Sequence, residues 1–214
     1  MLFATLVETS RRVAATSKRL EKIDLLASLL RGLSPDEAEL VAAFLSGRTR
    51  QGKIGVGYST LSGMRGYPAE NPTLEILQVD RTLTEIQSLR GSGSTAGRAA
   101  MLASLFARAT APEQAFLAGL LTGEIRQGAL EGIMADGLAK AHSLAASDVR
   151  RAVMMAGDIA AVARSIAEHG AAALAQYDVQ LFRPVQPMLA QSAEDVEEAL
   201  TGLGEAAQIG RAHV

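Results

Sequence analysis

The sequence repeats itself. Displaced by 76 positions, residues 25–54 lie over residues 101–130 without a gap. Leu26-Ala27-Ser28-Leu29 recurs as Leu102-Ala103-Ser104-Leu105, and Glu37, Ala42, Leu45 and Gly47 fall on Glu113, Ala118, Leu121 and Gly123. Arg50-Gln51-Gly52 recurs as Arg126-Gln127-Gly128, which brings the total to eleven identities in thirty positions. Unrelated helices do not share that many, and a fixed-period match of this kind means a repeated structural unit. Each copy reads as a helix, a turn, a second helix and a closing turn of the form Gly-x-x-Arg-Gln-Gly. The expected fold is all-α, a single multi-helix bundle with an internal pseudo-two-fold duplication over about residues 16–57 and 92–133.

Helical signals fill most of the chain. Leu20, Ile23, Leu26 and Leu30 form an apolar stripe after Thr16-Ser17, with Gly32 placed to close the helix. Ser34-Pro35-Asp36-Glu37 is a capping box with proline at the first helical position, and Leu40, Val41 and Phe44 then point inward. Regular patterning is lost from Gly47 to Tyr67 and resumes with Leu83, Ile86 and Leu89. A helix from about Thr95 carries Met101, Leu102, Leu105 and Phe106; Pro112-Glu113 opens another that ends at Gly123. Residues 129–141, 147–155 and 159–169 read as three more, with Gly170 as a C-terminal cap. Alternation at Val179, Leu181 and Phe182 predicts a short extended stretch, and Ser192 caps a last helix through Leu203. Ile209 to Val214 carries no pattern. Residues 1–183 are therefore expected to form the helical domain, with 184–214 a linker and the beginning of something else.

Composition narrows the function classes. There is no cysteine, which removes disulfides and thiolate metal sites and fits an intracellular, cytoplasmic setting. The apolar stretch from Ala152 to Tyr177 is interrupted by Asp158, Arg164, Glu168 and His169 and makes a poor membrane span. His142, His169 and His213 have no partner at ligand spacing, so no metal is expected. Met134, Met154 and Met155 read as core, and Tyr58 and Tyr67 as packing residues. Gly91-Ser92-Gly93-Ser94-Thr95 lacks the Gly-Lys-Ser/Thr ending of a nucleotide loop. Charge is uneven: residues 1–108 hold 14 Lys+Arg against 10 Asp+Glu, and residues 109–214 hold 7 against 13. An asymmetry of this kind marks a polyanion-facing side.

The two Arg-Gln-Gly turns carry the functional expectation. An arginine beside a glycine offers a guanidinium fork and a backbone that can be approached closely, and a helix start follows. That combination suits a phosphate. Two such turns related by an approximate two-fold match duplex DNA, whose strands are related by local two-folds, each copy holding one strand across the minor groove. The competing expectation is a helical scaffold for protein partners, whose turns are plain connectors with solvated arginines.

The same residues carry a family likeness. Thr16-Ser17-Lys18-Arg19-Leu20-Glu21-Lys22, Gly52-Lys53-Ile54-Gly55-Val56-Gly57, Gly91-Ser92-Gly93-Ser94-Thr95-Ala96, Leu121-Thr122-Gly123-Glu124-Ile125-Arg126-Gln127-Gly128 and Pro184-Val185-Gln186-Pro187-Met188-Leu189-Ala190-Gln191 occur in that order. With that order and spacing, the chain resembles the N-terminal DNA-binding domain of ATP-dependent DNA ligases of the archaeal, bacterial and eukaryotic replicative type. The resemblance covers about residues 10–191. It implies a helical domain that encircles nicked duplex DNA from the minor groove, in replication or repair, and near the nucleoid if the source is bacterial.

By position, the resemblance makes Ser92, Gly93, Ser94, Thr95, Arg126 and Gly128 phosphate contacts in one copy, and Gly52, Lys53, Arg48 and Arg50 in the other. Glu124 departs from the pattern, since such turns often carry a basic residue there. The Pro-x-x-Pro-Met-Leu-Ala segment in this family leads toward an adenylation domain and an OB-fold domain, which would be the partners. Those domains would use ATP and magnesium in the full-length enzyme. No lysine here is followed by x-Asp-Gly, the adenylated motif, so this stretch is expected to hold no cofactor and to be inactive alone.

Overall fold

The computed structural model describes residues 1–52, 54, 67–125, 131–178 and 197. Among them the regular elements are helices, joined by one isolated antiparallel bridge. In chain order they are α1 (Phe3–Ala15), α2 (Arg19–Leu30), α3 (Pro35–Leu45), α4 (Ile76–Ser88), α5 (Ser94–Ala107), α6 (Ala111–Thr122), α7 (Glu131–Ala141), α8 (Ala146–Ala156) and α9 (Ile159–His169), followed by a 3₁₀ turn, Gly170–Gln176. The all-α expectation holds. The extended stretch from Val179, the helix from Ser192 to Leu203, the tail from Ile209 and Tyr58 lie outside the described residues.

Local chemistry sets the boundaries. Ser34 and Thr110 each accept an N–H from the glutamate three residues on while that carboxylate returns to the cap, and a proline sits within the first two helical positions of both α3 and α6. The α3–α6 pair thus starts with the same device at the 76-residue spacing, and the following Gly47 (φ 71°) and Gly123 (φ 73°) share the left-handed conformation that ends a helix. Asp158 caps α9 by accepting from the Ala160 amide at 3.1 Å.

The N-terminal helix α1 is an addition to the sequence reading. Its buried positions are Phe3, Leu6, Val7, Ser10 and Val13, and those of α4 are Ile76, Val79, Asp80, Leu83 and Ile86, the same spacing shifted by 73. The isolated bridge joins Leu2 to Glu75, residues with that same shift; the Phe3 amide donates to Leu74 O at 2.8 Å and the Ile76 amide to Met1 O at 3.1 Å. The neighbours correspond as well: α1 packs on α2 and α6, and α4 packs on α5 and α3. The shift grows from 73 at α1/α4 to 76 beyond them, and the α4–α5 corner, residues 89–93, is two residues longer than the α1–α2 corner, residues 16–18.

The most extensive seams are α3 with α9 and α2 with α7. Phe3, fully buried, meets Phe44 and Phe116 edge-on, with ring centroids 6.3 and 5.6 Å apart. Gly137 lets α7 lie against α2: a Cβ there would stand 2.8 Å from Leu26 Cβ. Asp136, one residue before it and buried, ties three helices by accepting from Arg19 of α2 and Arg150 of α8, both at 2.7 Å.

Two side chains depart from expectation. Leu20 fits the apolar stripe by its spacing but is 75% exposed, because the contact surface of α2 runs through Ile23, Leu26, Ala27, Leu29 and Leu30. Tyr67, expected to pack, is 99% exposed. Met134 is core, whereas Met154 and Met155 are half-buried at its edge.

Candidate nucleic-acid interface

The first Arg-Gln-Gly turn is built by backbone bonds at the end of α3. The Arg48 amide donates to Ala43 O at 2.9 Å, the Gly52 amide to Thr49 O at 3.1 Å, and Thr49 Oγ1 to Gly52 O at 3.1 Å. Gly52 takes φ 62°, a conformation that L side chains rarely adopt. Its N–H is therefore spent on the turn.

Side chains then fasten the turn to α4. Arg50 embraces Asp80 with Nε (3.2 Å, to Oδ1) and Nη2 (to Oδ2), and Gln51 Nε2 donates to Asp80 Oδ1 at 2.9 Å and to Thr84 Oγ1 at 2.8 Å. One turn further along, Gln87 donates to Gln51 O. Asp80 is 2% exposed, so its carboxylate depends on these donors. The pairing raises the Arg50 guanidinium above its ordinary value, chiefly through the Asp80 hydrogen bonds. Glu39, 3.5 Å from Arg50, also accepts from Arg164, which reaches Asp36 as well. Withdrawing one partner from such a pair costs on the order of 3 kcal/mol when a carboxylate is left buried. Arg48 differs: its contact with Asp158 is 3.2 Å long and half-exposed on both sides, a pair worth at most about 1 kcal/mol.

The second predicted segment follows directly from α4. Arg90 donates to the carbonyls of Gln87 and Leu89, and Arg98 to that of Leu89 at 2.6 Å, so both guanidinium groups gather at the negative end of the α4 dipole. Gly91 and Gly93 turn the chain with φ 84° and 82°. The N-cap of α5 is Gly93, which has no side chain to accept the first-turn amides, and that turn contains no acid. Ser92, Gly93 and Thr95 are exposed and Ser94 half-buried. An exposed, uncapped helix start beside arginines held by carbonyls has the chemistry to receive an anion.

The structure thus fastens Arg50 and Gln51 of the first turn along α4 from Asp80 to Gln87, and the Ser92–Thr95 corner follows the C-terminal end of that helix. From Asp80 to Gln87 is roughly 10 Å at 1.5 Å per residue. Ile125, the residue before Arg126, lies against Gly47, where a Cβ would be 3.7 Å from Ile125 Cβ. Lys53, Arg126 and Gly128 themselves lie outside the described residues.

Sequence reasoning passed over Asp80, Arg90 and Arg98. Asp80 carried a signal, being an acid on the apolar register of Ile76, Val79 and Leu83, where a carboxylate needs a partner. For the arginines the signal is an absence: between Glu85 and Glu113 the chain has Arg90, Arg98 and Arg108 and no acid. No group of three or more His, Cys, Asp or Glu side chains suited to a metal occurs among the described residues. No described helix is long and apolar enough to cross a membrane.

Comparison with known proteins identifies a family. Residues 55–139 match the family described as DNA ligase N terminus. The chain belongs to that ligase family. It is 49% identical over 209 residues to a "Probable DNA ligase" of Anaeromyxobacter sp. (strain Fw109-5), covering 97% of this chain and 40% of the relative. A protein of the same description from Streptomyces griseus subsp. griseus is 49% identical over 207 residues, covering 97% and 40%. That of Rhodococcus jostii is 46% identical over 204 residues, covering 95% and 41%. The chain therefore spans about 40% of the length of these ligase relatives, matched to a family named for the ligase N terminus.

Proposed function

We propose that this ligase domain holds duplex DNA by its phosphate backbone, without reading sequence, and presents a nick to the adenylation and OB-fold domains of the same enzyme. The observation that carries the reading is the juxtaposition on α4. The first turn is fastened along α4 from Asp80 to Gln87, the uncapped α5 start follows the end of that helix, Ile125 lies against Gly47, and Arg90 and Arg98 have no carboxylate partner among the described residues. Ser92, Gly93, Ser94 and Thr95 meet one phosphate through amides and hydroxyls, with Arg90 and Arg98 behind them. Arg48, Gly52 and Lys53 serve the first turn, and Arg126 and Gly128 the second. The matched packing of α1–α3 and α4–α6 about the Leu2–Glu75 bridge supports a pseudo-two-fold relation between the halves, which suits the two strands of a duplex. Contacts of this kind position the protein and carry no base information. We assign ATP and magnesium chemistry to the full-length enzyme, which would act in replication or repair at the nucleoid in the cytoplasm.

Thr95→Glu separates binding from folding. A carboxylate in the first turn of α5 favours the helix by about 0.3–1 kcal/mol, yet it repels a phosphate. We expect the variant to melt at or above the wild-type temperature and to bind a fluorescent nicked duplex more weakly in an anisotropy titration at low salt. Undiminished binding by Thr95→Glu, or no binding by the wild type at low salt, would defeat the reading.

A further inference from the structure

Arg50 is locked by Asp80, and the position matching Asp80 in the other half is Val7, which is as deeply buried but offers no carboxylate. Packing alone asks only for an apolar side chain at this place in the helix, as Val7 supplies. A carboxylate instead must be met by donors, and here Arg50 and Gln51 provide them while Thr84 and Gln87 hold Gln51 in place. Every one of these partners belongs either to the turn or to α4.

We propose that Asp80 is a positioning residue that bolts the first Arg-Gln-Gly turn to α4 through Arg50, and that Arg50 is consequently not a phosphate ligand. The proposal rests on the DNA-binding reading above and refines it. With its charge cancelled by Asp80 and its fork occupied, Arg50 adds nothing to the counterions released when DNA binds. The first turn meets the backbone with main chain and with the loosely held Arg48. The clamp is then unequal on its two sides, although the frame around it is close to two-fold. An unequal clamp seats the protein in one orientation on a duplex whose own backbone is nearly symmetric, which an enzyme acting at a nick requires, since the 5′-phosphate and 3′-hydroxyl sides differ.

The test is the salt dependence of nicked-duplex binding by this chain, for the wild type, Arg50→Ala, Arg50→Lys, Asp80→Asn and Arg126→Ala. Each phosphate neutralised contributes about 0.9 to the slope of log K against log salt. The bolt predicts an unchanged slope for all three variants at Arg50 and Asp80. It also predicts affinity losses on the order of tenfold for Arg50→Ala and for Asp80→Asn that do not add when the two are combined, as for coupled neighbours. Arg126→Ala should lower the slope by about 0.9. A loss of about 0.9 with Arg50→Ala that Arg50→Lys restores, or a steeper slope and tighter binding with Asp80→Asn, would overturn the proposal. Hydrogen exchange without DNA gives a separate reading: Asp80→Asn should speed exchange at the Arg48 and Gly52 amides while the amides of α7 stay protected. Unchanged exchange at those two amides refutes the bolt even if the wild type binds no duplex, and that last result would count against the DNA reading alone.

Discussion

Gly137 is where this fold leaves least room for change. It sits in α7 at the seam with α2, and a methyl group there would lie 2.8 Å from Leu26 Cβ, with the Ala27 nitrogen and Ile23 oxygen each at 3.6 Å. Favourable carbon–carbon contact begins near 3.5–4.0 Å, so Gly137→Ala forces the two helices apart by about 1 Å or bends one of them. Overpacking of this kind costs about 1–3 kcal/mol. Alanine returns up to about 1 kcal/mol because it is the better helix former, which leaves a net loss of roughly 0–2 kcal/mol. Gly97→Ala supplies the reference: it lies within α5, where the new Cβ meets only the flexible tip of Leu89 at 3.4 Å. That variant should gain up to about 1 kcal/mol from propensity alone. The difference between the two isolates the steric cost, about 1–3 kcal/mol, or several degrees in melting temperature for a domain of this size. Urea unfolding followed by helical circular dichroism, with both variants keeping the wild-type m value, measures it. If Gly137→Ala proves as stable as Gly97→Ala, the close α2–α7 approach described above is wrong.

Two further outcomes are expected. Ser143 holds φ 56° at the end of α7, a left-handed conformation that costs an L-residue about 1 kcal/mol. Ser143→Gly should therefore raise stability by about 0.5–1 kcal/mol, and a lower melting temperature would contradict the strain. Burial holds His142 below its ordinary value of 6.5, and its Nε2 has no partner among the described residues. The fold thus favours the neutral ring, so this contribution is complete above pH 6.5 and declines as the pH falls from there through the lower folded value. The wild type should lose stability between pH 7.5 and 5.5, and His142→Asn should lose less; equal losses would clear the histidine of any part in the decline.

Helix starts and stops were legible because their signals are local. Ser34-Pro35 with Glu37, Pro112-Glu113 with its closing Gly123, and Ile159 to His169 with Gly170 all stand where propensity and capping place them. What stayed hidden depends on distant partners. The stripe of α1 gains meaning only once its counterpart in α4 and the Leu74–Ile76 edge are seen. Leu20 fits the period of its helix, yet no neighbour covers that face. At the candidate interface the sequence marked the two turns and the Ser92–Thr95 start, but the engagement of Arg50 rests on a carboxylate thirty positions away. An arginine next to glycine looks the same whether it faces a phosphate or an aspartate.

The bridge that joins Leu2 to Glu75 also fixes an order in time. Phe3 needs Leu74 for its amide, and Phe44 and Phe116 for its ring. At about 5–20 residues per second, some 6–20 s separate the synthesis of Phe3 from that of Phe116. Throughout that interval the apolar stripe of Phe3, Leu6, Val7 and Val13 has emerged without the surface that covers it. Made before both of its aromatic partners, α1 is seated only after them, and until then its stripe is open to chaperones and to misassociation.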